Sequence, residues 1–170
     1  MLKETAAGHK PILVVDDDKN MLTALYQALT RSGYRVSTAS SGIDALRKFE
    51  NGAFGMVITD VKMPGMGGLE VLREVRHRER GLPVLMITAY GTVEDAVRAM
   101  KEGAFDYIMK PFSTDDLEAV VLKALSAPAR EHNGDGAQRE GNIRTTGREI
   151  IGSSPQIKRV IDIALRAAAT

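Results

Sequence analysis

Short runs of apolar residues alternate along the chain with longer stretches in which apolar positions recur every three or four residues. The runs are Ile12 to Val15, Arg35 to Thr38, Met56 to Thr59, Val84 to Thr88 and Phe105 to Met109. Those at Ile12, Met56 and Val84 are nearly continuous in apolar residues, as strands covered on both faces must be, which places them at the centre of a sheet. Between the runs, Met21, Leu22, Leu25 and Leu29, then Leu69, Leu72 and Val75, then Val93, Ala96, Val97 and Met100 each make one apolar stripe at helical spacing. The punctuation agrees: Gly33, Gly52 and Gly103 stand where helices should stop, and Thr92 with Asp95 reads as an N-cap followed by an early acid. Five strand and helix pairs ending near Leu125 predict an α/β fold, a doubly wound parallel sheet of five strands with helices on both faces.

The pattern then changes. Residues 127–149 carry Pro128, Gly134, Gly136, Gly141 and Gly147 among mostly polar residues without an apolar period, the signature of a flexible linker. From Ile150 a new element is predicted, with Ser154 as N-cap, Pro155 at the first helical position, and Ile157, Val160, Ile161, Ala164 and Leu165 on one face. The expected organisation is one domain over residues 1–126, the linker over 127–149, and the start of a second domain over 150–170.

Composition narrows the function classes. The chain has 170 residues, and its 23 basic against 22 acidic side chains leave a formal net charge of +1, so the bulk balance gives no general affinity for nucleic acid. Cysteine is absent, which excludes disulfides and thiolate metal sites and agrees with a reducing cytoplasm. The first ten residues lack an apolar signal core, and no apolar run reaches the ~20 residues needed to span a bilayer. The expectation is a soluble cytoplasmic protein with no membrane partner.

The candidate chemistry lies at strand ends. Asp16 and Asp17 follow the first strand and Asp60 the third. In an open parallel sheet of order 2-1-3-4-5, strands one and three are neighbours, and ligands bind at their carboxyl ends. Asp17 and Asp60 should then face each other within a few ångströms. Carboxylates held so close repel, so that one protonates or a divalent cation enters, and oxygen-only ligands with retained water suit Mg²⁺. Asp18 is expected instead to cap the first helix. Thr88 ends the fourth strand and Lys110 the fifth, on the same edge. A hydroxyl and an ammonium converging on carboxylates make a phosphate acceptor site, with Lys110 neutralising phosphoryl oxygens and Thr88 donating a hydrogen bond. Gly65, Gly67 and Gly68 are expected as turn residues after Asp60.

The segments VVDDD at Val14 to Asp18, ITDVKMPGMGG at Ile58 to Gly68, MITAY at Met86 to Tyr90 and FDYIMKPF at Phe105 to Phe112 together resemble the receiver domain of two-component response regulators, over about three quarters of the chain. The resemblance implies a flavodoxin-like fold and a switch that takes a phosphoryl group from a sensor histidine kinase. It makes Asp60 the phosphoacceptor, Asp17 a direct metal ligand, Asp16 one that acts through water or by supporting the direct ligands, and the backbone carbonyl of Lys62 the remaining protein ligand for Mg²⁺. Thr88 and Tyr107 match the family's switch pair, and Lys110 its phosphate-binding lysine, with a cis bond to Pro111 expected. Lys62 and Tyr90 fall at positions beside the path of the attacking water. Homodimerisation through the fourth helix and fifth strand is also implied.

The tail IIGSSPQIKRVIDIALRAAA, Ile150 to Ala169, resembles the opening of the AAA+ ATPase domain of sigma-54-dependent activators of the nitrogen-regulator type. No G-x-x-x-x-G-K-[ST] phosphate loop and no helix-turn-helix segment occurs in the sequence. DNA and the sigma-54 polymerase are accordingly expected as partners only through domains outside this sequence. Two other classes fit less well. An aspartate-nucleophile phosphatase needs an Asp two residues after its nucleophile, where Lys62 stands, and a nucleotide-binding module needs a Gly-rich or hydroxyl-rich loop after its first strand, where Asp16 to Asp18 stand.

Overall fold

The computed structural model describes residues 10–89 and 91–126. Five strands and five helices alternate: β1 (Ile12–Val15), α1 (Lys19–Arg31), β2 (Val36–Ala39), α2 (Gly42–Asn51), β3 (Met56–Asp60), α3 (Gly68–Arg78), β4 (Val84–Thr88), α4 (Val93–Lys101), β5 (Asp106–Met109) and α5 (Thr114–Ser126). The strands form one parallel sheet, as the apolar pattern predicts, in the expected order β2-β1-β3-β4-β5. The predicted linker and final helix, residues 127–170, lie outside the described residues.

Strand periodicity divides the interior. Leu13, Val15, Val57, Val84 and Met86 point to the face covered by α2, α3 and α4, where Ala45, Phe49, Val71, Leu72, Val75, Ala96 and Ala99 meet them. Ile12, Val14, Met56, Ile58, Leu85 and Ile87 point to the other face, against Leu25 and Leu29 of α1 and Leu117, Val120, Val121 and Ala124 of α5. Both faces being covered, β1, β3 and β4 carry buried residues throughout. On α4 the buried pair is Ala96 and Ala99, while Val97 of the predicted stripe is only half-buried.

Local chemistry sets the helix ends. Asp18 caps α1 as expected, its Oδ1 accepting from the Asn20 N–H at 2.8 Å. Thr92 and Asp95 close a reciprocal capping box on α4. Gly33 and Gly103 adopt φ of 90° and 95°, and the following N–H groups reach back to the Leu29 and Ala99 carbonyls in the Schellman pattern. Gly52 also ends its helix, but in extended backbone at φ −143°. The far end of α4 is fastened to α3, because Glu102 takes two hydrogen bonds from Arg73 at 2.9 and 2.8 Å and one from Arg98 at 3.1 Å.

Candidate functional site

Parallel pairing brings the carboxyl ends of the strands to one edge. Val15 is opposite Thr59, Asp60 opposite Ile87, and Thr88 opposite Met109. Asp16, Asp60, Thr88 and Lys110 therefore leave their strands at nearly the same level. The ladder extends just past the strand ends, with the Asp16 N–H donating to the Ala39 carbonyl at 3.2 Å and the Lys110 N–H to the Thr88 carbonyl at 2.8 Å. This fixes the backbone beneath the site.

Asp60 closes β3 rather than following it, one residue deeper than the sequence pattern suggests. It is 7% exposed and Asp16 is 2% exposed. Lys110 reaches over the edge and its Nζ donates to Asp16 Oδ2 at 2.9 Å and to Asp60 Oδ1 at 3.1 Å. The second Asp60 oxygen, Oδ2, accepts the Lys62 N–H at 3.0 Å, so the chain after β3 curls round the carboxylate. The Lys110–Pro111 peptide bond is cis.

Electrostatics follow from this burial. Desolvation pushes the Asp60 carboxyl above the ordinary carboxylate range, helped by the Asp16 charge and opposed by Lys110 and the Lys62 N–H. Burial alone would pull Lys110 down, but its hydrogen bonds to Asp16 and Asp60 outweigh it and hold the ammonium above its usual range. Asp17 is exposed at the rim, and Asp16, not Asp17, is joined to Asp60 through Lys110. Among the described residues no three acidic or imidazole side chains close into a ready-made metal cage. The donor set nonetheless fits a hard cation: two buried carboxylates, Asp16 and Asp60, share one ammonium, exposed Asp17 follows Asp16 at the same strand end, and all offer oxygen.

Thr88 is buried at the end of β4, and the Tyr107 ring on β5 lies inside, 2% exposed, rather than half-buried as a plain strand aromatic would be. Its Oη is buried without a hydrogen-bond partner among the described residues. Burial, then the charges of Asp95 and Asp60, push the Tyr107 phenol up to about 12. Tyr90 lies outside the described residues.

Of the three glycines expected as turn residues after Asp60, one turns the chain and two serve the start of α3. Gly65 has a left-handed φ of 75° and is a turn residue, whereas Gly67 caps α3 and Gly68 begins it. A Cβ on Gly68 would sit 2.1 Å from the Asp60 carbonyl oxygen, so glycine is what allows α3 to start against the end of β3. Gly91 makes a similar close approach to Tyr107, which sequence reasoning missed; both depend on contacts between distant segments that no local pattern reveals.

Residues 12–122 match the family model described as "Response regulator receiver domain". The transcriptional regulatory protein ZraR of Escherichia coli strain K12 is 40% identical over 157 residues, covering 92% of this chain and 34% of that protein. The DNA-binding transcriptional regulator NtrC of Klebsiella pneumoniae is 34% identical over 150 residues, covering 88% of this chain and 31% of that one. The chain thus spans about a third of the length of these curated relatives. Among solved structures, the response regulator protein TrrA from Thermotoga maritima, in complex with Mg²⁺ and a beryllium fluoride, aligns at 38% identity and TM-score 0.63 over 68% of this chain and 99% of that one.

Proposed function

The chain belongs to the response regulator receiver domain family, and on that premise we propose that it is a phosphorylation switch in which Asp60 accepts a phosphoryl group from a sensor histidine kinase. The observation that carries the reading is the Lys110 ammonium spanning two buried carboxylates at the carboxyl edge of the sheet. Such a group is placed to meet the charge that develops on a transferring phosphoryl group.

In the proposed step an Asp60 carboxylate oxygen forms a bond to phosphorus while the bond from phosphorus to the donor's imidazole nitrogen breaks. The imidazole leaves with its electron pair and takes up a proton, and Asp60 becomes an acyl phosphate. Lys110 shifts its hydrogen bonds from carboxylate to phosphoryl oxygens, and Thr88 donates its hydroxyl to another. Asp17 and Asp60, the Lys62 carbonyl, and Asp16 through water would hold Mg²⁺, which supplies neutralisation of phosphoryl charge during transfer. The acceptor turns over only through slow loss of its own phosphoryl group, so the chain acts as a switch and not as an enzyme on external substrates.

The output is proposed from the relatives. The match to ZraR extends well beyond residues 12–122, and both relatives are named as transcriptional regulators. This supports reading residues 127–149 as a linker and 150–170 as the beginning of a AAA+ domain of a sigma-54-dependent activator, with DNA and polymerase contacted by further domains. Pairing of two copies through α4 and β5 would transmit the signal. Among the described residues no helix is long and apolar enough to cross a membrane, and the proposed site of action is the cytoplasm.

Intact-mass measurement with acetyl phosphate tests the acceptor assignment. One phosphoryl adduct is expected with Mg²⁺, none after chelation, and none in Asp60→Asn. Adduct formation at the wild-type level in that variant overturns the assignment.

A further inference from the structure

Gly91 lies in the segment between β4 and α4, packed against both members of the Thr88 and Tyr107 pair. A Cβ built on it would fall 2.2 Å from Tyr107 Oη, 2.7 Å from Thr88 Cγ2 and 3.1 Å from Tyr107 Cζ. The glycines with left-handed φ among the described residues are Gly33, Gly65 and Gly103, so backbone conformation is not what calls for glycine at 91. The demand is for space.

The three groups that meet there differ in how far each can give way. Thr88 and Tyr107 have backbones fixed in adjoining strands, with Met86 opposite Tyr107 and the Thr88 carbonyl bonded to the Lys110 N–H. The Tyr107 ring can leave by rotation about its side-chain bonds. Its buried hydroxyl has no partner among the described residues to hold it in place, and outside it would regain water. Steric room therefore decides where the ring rests.

We propose that Gly91 is a positioning residue for the switch: its missing side chain creates the space in which the Tyr107 ring lies against Thr88, and any larger residue turns the ring out. The proposal rests on reading Thr88 and Tyr107 as the pair that transmits phosphorylation of Asp60. It adds a third member that acts through the ring's position and offers no group of its own to the phosphoryl oxygens.

Nuclear magnetic resonance on the full chain with ring-¹³C-labelled tyrosine tests it. The sequence holds four tyrosines, and the Tyr107 signal is identified by its loss in Tyr107→Phe. The expected wild-type result is a nuclear Overhauser contact between the Tyr107 ring and the Thr88 methyl, and movement of α4 and β5 amide signals on adding beryllium fluoride with Mg²⁺. Gly91→Ala should lose the contact, still accept a phosphoryl group from acetyl phosphate, and show a clearly weaker amide response. Persistence of the contact in Gly91→Ala overturns the proposal. A wild-type chain whose α4 and β5 amides ignore beryllium fluoride overturns the switch reading instead, while the contact still judges the role of Gly91. If Gly91→Ala is too unstable for spectra, its loss of Tm is compared with and without Tyr107→Phe, which removes the 2.2 Å clash. A smaller loss alongside Tyr107→Phe supports the proposal, and an equal loss overturns it.

Discussion

Replacing Lys110 by methionine keeps most of the side chain's length and removes only the charge that separates Asp16 from Asp60. Its ammonium contacts are 2.9 and 3.1 Å long, and at an effective dielectric of about 20 each amounts to roughly 5 kcal/mol of attraction. Returning a half-buried ammonium to water recovers several kcal/mol per ion, so the net loss of stability should be about 3 kcal/mol near neutral pH. The pH dependence has a definite sign. Asp60 is already raised by burial, and Lys110 is among the influences that lower it. Without Lys110 its folded-state pKa rises further above the unfolded value. A carboxyl raised in this way stabilises the fold fully below the unfolded pKa, and that contribution is lost as pH rises through the folded one. The deficit of Lys110→Met should therefore shrink to roughly 1 kcal/mol at a mildly acidic pH, as the raised Asp60 carboxyl takes up its proton in the variant. Urea denaturation of wild type and variant at both pH values, with the slopes checked for equality, measures this. A variant as stable as wild type at neutral pH, or a deficit that grows on acidification, would refute the argument.

Tyr107→Phe removes a buried hydroxyl that lacks a partner among the described residues and should raise stability by about 1 kcal/mol in thermal melts. Because the Tyr107 phenol is pushed up to about 12 in the fold, its wild-type contribution is full below the unfolded pKa of about 10 and is lost above it, so the advantage of the variant should widen in alkali. Gly68→Ala puts a methyl group 2.1 Å from the Asp60 carbonyl oxygen. The backbone must move, and despite the better helix propensity of alanine a loss of about 2 kcal/mol is expected in urea, with slower labelling of Asp60 by acetyl phosphate.

The central strands were legible because burial on both faces writes itself as unbroken apolar residues: β1 and β4 begin and end where the runs at Ile12 and Val84 do. At the sheet margin the signal weakens. β2 has one strand neighbour and half-buried residues, and it starts at Val36 instead of Arg35. That Asp16, Asp60, Thr88 and Lys110 would gather at one edge was legible for the same topological reason, since a parallel sheet brings strand ends together. The sharing of Lys110 between Asp16 and Asp60, with Asp17 left at the rim, was not, because a side chain's choice between two adjacent acids is settled by three-dimensional register. Nor could the sequence distinguish Gly65, which turns the chain, from Gly68 and Gly91, which admit another segment. The letter is the same and the physical demand is different.

The parallel register has a consequence for how such a molecule can change over generations. Each strand places its final residue, or the next one, at the edge that holds the candidate site, while the joints at Gly33 to Arg35, Gly52 to Gly55, Glu79 to Pro83 and Gly103 to Phe105 lie at the other edge. Insertions and deletions at those joints alter the outline of the protein while leaving the cluster of Asp16, Asp60, Thr88 and Lys110 in place. The sheet thus separates two kinds of heredity, a margin where side chains from four segments must stay in register with one another and an opposite margin where each joint stands alone.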